Sequence, residues 1–217
     1  MSSSHRPSKI AIFGLAVLAL VAVAATAIAR PGKGAEQYRA KLGAVPHLPT
    51  ADGNSNASGT AKLVRKGQRL SVVVKAMGLS PRLPHAMHIH GKEAAGEIAT
   101  CPGADRRDDL VDDGLIETVE GLDDYGPVLV SFTTRGDTSA DSVLALDRFP
   151  VARKNGTFTY TRKLEVPAKL AGRLDELHVV IHGHDIDGDG EYGGRTTALG
   201  APLEGELPVA CGQIRRR

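Results

Sequence analysis

Aromatic residues and cysteines are scarce in this sequence, and tryptophan is absent. Only 4% of the 217 residues are aromatic, so a hydrophobic core has to be built mainly from Val, Leu, Ile and Ala. The two cysteines, Cys101 and Cys211, are far apart, and the chain has no paired-cysteine spacing of the kind that thiolate zinc sites require. Because hydrophobic residues still make up 41% of the chain, there is enough apolar material for one folded domain.

Long amphipathic helical patterns and fixed-period repeats are also missing, which argues against a helical bundle or a repeat array. Short alternating segments occur instead, separated by turn residues among the 25 Gly and 12 Pro. In residues 69–77, for example, Leu70, Val72 and Val74 fall on one face of a strand and polar residues mostly on the other. The pattern predicts an all-β fold over residues 57–214, a Greek-key barrel or sandwich.

The first residues follow the plan of an export signal. Arg6 and Lys9 precede an uncharged apolar run over residues 10–29, and the run ends in Ala27-Ile28-Ala29, a small-x-small cleavage pattern. We therefore predict a signal peptide over residues 1–29. The alternative is an uncleaved membrane anchor, because the run has about the 20 residues that a spanning helix needs. In both cases the remainder is expected outside the cytoplasm, either secreted or held at the outer face of the membrane.

Two segments flank the predicted β domain. Residues 30–56 show no sustained period and are predicted to be a linker, in which His47 is expected at the surface. Residues 215–217 form a basic tail that is expected to be solvated. Without residues 1–29 the basic and acidic residues balance, so the domain has no electrostatic footprint for nucleic acid. Membrane contact is expected only if the apolar segment is retained.

Both cysteines lie in the part of the chain that is predicted to be exported. An oxidising compartment favours a Cys101–Cys211 disulfide, and two independent buried thiols are the alternative. Such a bridge would close a loop of more than a hundred residues. The chain-entropy treatment values a bridge of this kind at roughly 4–5 kcal/mol.

Histidines give the clearest chemical signal. His88 and His90 lie two residues apart in a predicted strand, so their side chains share a face. In the predicted strand over residues 178–182, the same alternation places His182 opposite the apolar face, on the exterior of the barrel like the first pair. Neutral imidazoles are good ligands for copper and zinc, so the three predict a metal site. His85 and His184 are candidates for a fourth ligand.

A second metal signal lies in residues 185–190. Asp185, Asp187 and Asp189 alternate with other residues and are followed by glycine, as in the opening of a calcium loop. The twelfth position of such a loop would be Thr196, where a bidentate glutamate is expected. Calcium binding and an ordinary Asp/Gly turn both remain open at this point.

Taken in chain order, these features resemble the copper/zinc superoxide dismutase superfamily. The resemblance is carried by His88-Ile89-His90-Gly91, by Cys101, and by residues 179–183 and 209–214, which read Val-Val-Ile-His-Gly and Val-Ala-Cys-Gly-Gln-Ile. The opening strands and the histidine-containing turn also resemble the secreted CHRD domain. The superfamily resemblance implies an eight-stranded Greek-key barrel, copper held by His88, His90 and His182, and a Cys101–Cys211 bridge that anchors a loop.

The sequence also departs from that superfamily. No histidine occurs between His90 and His178, where the family places the bridging and zinc ligands, so zinc is not expected. Pro208 stands where the family has an arginine that guides superoxide, and Arg173 and Arg195 are the candidates to replace it. The expected function is an exported, copper-binding domain that is redox-active on superoxide. The alternative is a non-catalytic extracellular β module, so enzyme activity stays open, with a metal ion or a small anion as the expected ligand.

Overall fold

The computed structural model describes residues 34–53, 55–107 and 109–217. The apolar segment predicted as an export signal or anchor, residues 1–29, lies outside the described residues. Within the described ranges, no helix has both the length and the hydropathy that crossing a membrane requires.

Nine strands in the described part of the chain form one antiparallel sheet. They are β1 (Glu36–Ala44), β2 (Ser58–Lys66), β3 (Arg69–Met77), β4 (Met87–His90), β5 (Val128–Ser131), β6 (Phe158–Glu165), β7 (His178–His182), β8 (Pro208–Gln213) and β9 (Arg215–Arg216). The order across the sheet is β5-β4-β7-β8-β1-β2-β3-β6, and β9 adds to β1. Consecutive strands β3 and β4 are not neighbours, and neither are β6 and β7. These crossing connections are typical of a Greek-key fold, and the all-β prediction is confirmed.

Helical structure in the described residues is limited to single turns between strands. The α-helices are α1 (Pro49–Asp52), α2 (Leu122–Tyr125), α3 (Ala168–Ala171) and α4 (Leu203–Glu206). Short 3₁₀ turns occupy Ala104–Arg106, Ala140–Ser142, Leu146–Arg148 and Leu174–Glu176. The absence of long amphipathic patterns from the sequence agrees with this arrangement.

The sheet curls around a single hydrophobic core. Every strand from β1 to β8 contributes inward-facing residues to the same buried cluster, which a flat sheet could not achieve. Aliphatic side chains dominate this core, as the composition predicts. Its largest fully buried members include Leu42, Leu63, Leu70, Ile89 and Ile181.

Two aromatic residues lie where the sheet is not closed by backbone pairing, between the edge strands β5 and β6. The rings of Phe132 and Tyr160 stack with their centroids 5.8 Å apart. The Tyr160 hydroxyl donates a hydrogen bond to the Thr133 carbonyl at 3.0 Å. Side chains therefore join the two edges that the strand ladder leaves apart.

The structure corrects the prediction of a linker over residues 30–56. Strand β1 lies inside this segment and pairs with β2 on one side and with β8 and β9 on the other. Its alternation of buried and exposed residues is regular, but the buried side chains include only one large aliphatic residue, Leu42. Pairing on both sides supplies the stability that the local sequence pattern does not show.

Two smaller corrections concern the same part of the molecule. His47 is buried rather than at the surface. Its Nε2 donates to the Pro208 carbonyl at 2.8 Å, and its Nδ1 accepts from the Ile116 amide at 2.9 Å. The basic tail is not merely solvated, since Arg215 and Arg216 form β9 beside β1. Long-range hydrogen bonds, which a single sequence does not reveal, order both segments.

Candidate metal centre

Two neighbouring strands position the three histidines predicted as metal ligands. Strand β4 pairs with β7, and His88 lies directly opposite Val180. Met87 and Ile89 enter the core between them, which turns His88 and His90 to the other side of the sheet. In β7 the apolar residues alternate in the same way, so His182 shares that side. The predicted facing of the histidines is confirmed.

The strand pattern does not indicate how deeply these histidines are buried. His88, His90 and His182 are only 2%, 1% and 3% exposed. They do lie on the outside of the sheet, but the connections between strands fold over them. The ring of Phe149 packs edge-on against His88 at 5.2 Å between centroids, and Tyr125 packs against His90 at 4.6 Å. The alternation of side chains along a strand determines which side of the sheet a residue faces. The covering loops determine whether that side is exposed to solvent.

The three imidazoles converge on one point. One nitrogen from each lies within 4.8 Å of the others. The ring centroid of His88 lies 5.6 Å from that of His90 and 5.3 Å from that of His182. The centroids of His90 and His182 are 5.5 Å apart. The Nε2 atoms of His90 and His182 are separated by 3.4 Å. A single ion placed among them can therefore contact all three rings.

Backbone carbonyls determine which nitrogens point at that position. The Nδ1 of His90 bonds to the Gly126 carbonyl at 2.9 Å, and the Nδ1 of His182 bonds to the Glu206 carbonyl at 2.8 Å. A carbonyl only accepts hydrogen bonds, so each Nδ1 carries the proton in the neutral ring. Each Nε2 then presents a lone pair toward the other. Carbonyls that orient the far nitrogen of a histidine are the usual support of a metal ligand.

His88 has no such support. Both of its ring nitrogens are buried, and neither makes a well-formed hydrogen bond with a described residue, although the backbone of Val143 acts weakly on the ring. An unsatisfied buried polar group typically costs about 1–3 kcal/mol. A histidine with an unused nitrogen next to two facing lone pairs fits a coordinated ion better than it fits an apolar core.

Burial keeps all three rings neutral at pH 7. Desolvation lowers the pKa of His90 to about 3, and the neighbouring His182 adds to the effect. Desolvation also lowers the pKa of His182 to about 4. The pKa of His88 is well below its ordinary value because of burial and then the two neighbouring imidazoles. The cluster is thus in the deprotonated form that binds metals.

The two candidates for a fourth ligand do not join the cluster. The Nδ1 of His85 faces the His182 carbonyl at 3.1 Å and its Nε2 faces the Ser80 carbonyl at 3.0 Å, and the neutral ring donates to one of the two. His184 uses its Nε2 on the Asp52 carbonyl at 2.6 Å. Both contribute to the backbone arrangement around the site rather than to its ligand set.

A small cavity adjoins the histidines, with a volume of about 20 Å³, roughly the room that one water molecule needs. Its walls are mostly apolar, and none of the described residues that form them is Lys or Arg. The lining consists of Ala86, His88, His90, Thr118, Val128, Val143, Leu144, Leu146, His182, Leu199, Ala201, Gly205 and Glu206.

The arginines expected to guide an anion are engaged elsewhere. Arg195 pairs with the carboxylates of Glu117 and Asp113. The guanidinium of Arg173 donates to the backbone carbonyls of Glu93 and Lys92 at 2.9 and 2.6 Å. Neither arginine lines the cavity beside the histidines.

Glu206 lines the cavity and was not predicted from the sequence. Its Oε1 accepts a hydrogen bond from Thr197, whereas its buried Oε2 has no hydrogen-bond partner among the described residues. Desolvation raises the pKa of this carboxyl to about 7. No local pattern marks Glu206 in the sequence, because only the folding of the connection over the sheet brings it to the cavity.

The predicted disulfide is confirmed. Cys101 and Cys211 are bonded, with their Cα atoms 5.7 Å apart and a separation of 110 positions in sequence. Cys211 lies in β8, directly opposite Val180 of β7. The bridge therefore ties the connection after β4 to the sheet, and the same connection supplies the Gly126 carbonyl that orients His90.

The acidic loop forms a second group of metal-ligand atoms, with a different membership from that predicted. Asp185 and Asp187 lie with Glu204, and each offers an oxygen within 4.8 Å of the others. Asp189 is not part of this group. Glu204 follows Asp185 by more than the span of a calcium loop, so the sequence pattern could not include it.

The carboxylates of this acidic group already bind the loop's own amides. Glu204 accepts from the amides of Ile186 and Gly193, both at 2.7 Å. Asp185 accepts from the amides of Gly188 and Gly190 at 2.8 and 3.0 Å. These bonds organise the turn without an ion.

Comparisons with known proteins identify no family for this chain. No protein-family model matches it, and no curated protein matches it. The predicted resemblance to CHRD domains therefore gains no support. Among solved structures, the chain is similar to a Cu/Zn superoxide dismutase from Brucella abortus, with 22% sequence identity and a TM-score of 0.41, covering 83% of this chain and 100% of that one. A likeness of this size says nothing about metal or activity, which rest on the geometry above.

Proposed function

We propose that this chain is an exported copper-binding β domain of the superoxide dismutase-like kind, without that family's zinc site. The observation that carries the proposal is the pair of Nε2 atoms of His90 and His182, 3.4 Å apart and both in the acceptor state. Two lone pairs at this separation repel each other unless a cation or a donor lies between them. Burial prevents either ring from supplying the proton itself.

The chemistry of the donor set favours a transition metal. All three donors are imidazole nitrogens, which suit copper, zinc, iron and nickel, whereas calcium and magnesium require oxygen ligands. Copper(II) binds nitrogen sites most tightly in the first-row series. Bound copper would supply one-electron redox chemistry. The protein's part is to fix His90 and His182 through backbone carbonyls and to exclude bulk water with the covering loops.

The cavity beside the histidines limits what could react there. Its volume of about 20 Å³ accommodates a ligand of one or two heavy atoms. Superoxide fits this size, but no cation among the described lining residues attracts an anion to it. We therefore propose that any reaction with superoxide proceeds without electrostatic guidance and depends on the copper ion alone.

Metal content of the disulfide-intact protein tests the proposal. After loading with copper(II) and removal of free metal, we expect about one copper per chain, since three imidazoles suffice for a tight site. The His88→Ala/His90→Ala variant should retain only background copper. His184→Gln removes a histidine that lies outside the cluster and serves as the matched control, with unchanged retention expected. Equal copper in the double variant and the unsubstituted protein would refute the proposal.

A non-catalytic module that keeps the scaffold without the metal is the alternative. It leaves the two buried nitrogens of His88 and the facing nitrogens of the other two rings without a role. A superoxide assay separates redox activity from mere copper storage. Removal above the background of free copper, abolished by His182→Ala, supports the redox reading, and activity that persists in this variant contradicts it.

A further inference from the structure

Cationic side chains are gathered on one surface of the sheet, on strands other than β4 and β7, which carry the histidine cluster. Residues directly opposite each other in antiparallel strands point to the same side. Arg39 of β1 is opposite Lys62 of β2, and Arg215 of β9 is opposite Arg39 from the other side. We call the outer surface of β9, β1, β2, β3 and β6 the basic face; its cationic residues are Arg39, Lys41, Lys62, Lys66, Arg69, Lys75, Lys163, Arg215 and Arg217.

These side chains are exposed and almost unopposed. All nine side chains are exposed to solvent, whereas alternate residues of the same strands are buried in the core. Among the described residues, Glu165 is the single acidic side chain on this face, and it pairs loosely with Arg69 at 3.7 Å. The whole chain has a formal net charge of only +2. The net charge of the chain is therefore close to zero, although its positive charges are concentrated on this face.

The charge is densest around β9. A groove there is lined by Arg39, Lys41, Gln213, Arg215, Arg216 and Arg217. Arg216 is paired with Glu36 at 2.6 Å, and the other four cations of the groove make no ion pair with any described residue. Pairing of β9 with β1 holds like charges side by side, an arrangement that costs stability unless an anion compensates it.

We propose that the basic face docks the domain onto an anionic lipid bilayer through the phosphates of its headgroups. Exposed Lys and Arg side chains are attracted by the negative surface potential of such bilayers. Strand β1 begins at Glu36, seven residues after the predicted apolar segment ends at Ala29, and seven extended residues span at most about 25 Å. If that segment is in a membrane, Arg39 and Lys41 lie within reach of the bilayer surface.

Other features of the face favour a bilayer over a nucleic acid. Its outward-facing residues include no aromatic side chain, because Tyr38, Phe158 and Tyr160 of the same strands point into the core. It therefore lacks the stacking platforms that single-stranded nucleic acid binding uses. Because docking would not involve the histidine cluster, this inference does not depend on the proposed copper site.

Vesicle sedimentation tests the docking with the domain that lacks residues 1–29, so that insertion of the apolar segment does not mask it. This part is expected to fold alone, because the core, the disulfide and all nine described strands lie in one compact unit. We expect binding to vesicles with about 30% phosphatidylglycerol and none to pure phosphatidylcholine. Raising the salt from about 0.05 M to about 0.3 M should release the protein, since exposed charges are then screened.

Two variants of equal net charge locate the effect. Arg39→Ser/Lys41→Ser/Arg215→Ser should weaken binding to the anionic vesicles by about 10- to 100-fold. Arg153→Ser/Lys154→Ser/Lys169→Ser removes three exposed cations outside the basic face and should weaken it by less than about twofold. Matching unfolding midpoints of the two variants would show that both remain folded.

Three results would overturn the inference. Equal losses in the two triple variants would show that net charge alone governs binding. Equal binding to neutral and anionic vesicles would remove the role of the headgroup charge. Tighter binding to a DNA duplex than to anionic vesicles at the same salt would identify a nucleic acid as the partner.

Discussion

The histidine cluster and the acidic loop both carry metal-ligand patterns in the sequence, but the fold treats them in opposite ways. The nitrogens of His88 are buried without a well-formed hydrogen bond, and the Nε2 atoms of His90 and His182 face each other. The carboxylates of Asp185 and Glu204, in contrast, accept hydrogen bonds from amides of their own loop. A sequence pattern identifies atoms that could bind a metal. The hydrogen bonds that those atoms already make determine whether binding an ion would stabilise the protein.

This contrast implies different energetic consequences of adding metal. An ion at the histidine cluster would satisfy nitrogens that are otherwise uncompensated. An ion at the acidic loop would compete with amide hydrogen bonds that already stabilise the turn, each worth about 0.5–1.5 kcal/mol. We therefore expect copper to act strongly on the protein and calcium to act weakly.

The largest expected effect is stabilisation by copper(II). A ligand present at about a thousand times its Kd stabilises the folded state by about 4 kcal/mol, which for a domain of this size raises the unfolding midpoint by about 10 °C. Calorimetry of the metal-free protein with and without copper measures the shift. His88→Ala/His90→Ala should remove it, and a shift that survives in this variant would place the ion elsewhere.

Loss of the disulfide should affect the histidine cluster more than the acidic loop. Cys101→Ser/Cys211→Ser is expected to lower the free energy of unfolding by up to about 4–5 kcal/mol, the chain-entropy value for so long a loop. Because the bridge anchors the connection that carries the Gly126 carbonyl, copper affinity should fall as well. Urea titration and copper competition measure the two effects. Full copper affinity in the variant would show that the bridge does not support the site.

Acid should destabilise the metal-free protein from about pH 6.5 downward. The folded pKa values of His90 and His182 are about 3 and 4, below the ordinary 6.5. The unfolded chain therefore takes up protons first as the pH falls, so stability is complete above pH 6.5 and declines toward pH 4, by about 1.4 kcal/mol per unit of pKa shift for each group. Burial also lowers the pKa of His47, His85 and His178, which adds to the effect.

Two carboxyls, those of Glu206 and Glu120, act in the opposite direction, since burial raises the pKa of each. The pKa of Glu206 is raised to about 7 by burial, so this group favours the folded state as the pH falls between 7 and its ordinary value of 4.5. The several histidines should outweigh them. Urea titrations at pH 7.5 and pH 5 measure the balance, and equal stabilities at the two values would contradict the account of neutral buried imidazoles.

The smallest expected effect is that of calcium on the acidic loop. Millimolar calcium should raise the unfolding midpoint by no more than about 2 °C, because the carboxylates have amide partners in its absence. Asp187→Asn provides the matched variant, in which even this small shift should disappear. A calcium shift as large as that of copper would break the contrast between the two clusters.

Local pattern was sufficient for much of the fold. The alternation in residues 69–77 predicted β3 with its observed bounds, and strand parity put His88, His90 and His182 on one side of the sheet. Strand β1 was missed because its stability comes from pairing on both sides, which depends on distant residues.

The burial of the site could not be predicted for a similar reason. The connections that cover the histidines have no period, and how they fold over the sheet depends on contacts such as those of Phe149 and Tyr125. Glu204 and Glu206 reach their positions in the same way. The histidines that strands carry could therefore be predicted from the sequence, whereas the groups that loops bring to them could not.

Electron paramagnetic resonance of the copper(II)-loaded protein tests the central claim most directly, because hyperfine structure counts the nitrogens bound to the metal. We expect coupling to three imidazole nitrogens and the loss of one in each of His88→Ala, His90→Ala and His182→Ala. A spectrum of free or oxygen-ligated copper, or one that none of the three substitutions changes, would contradict the claim.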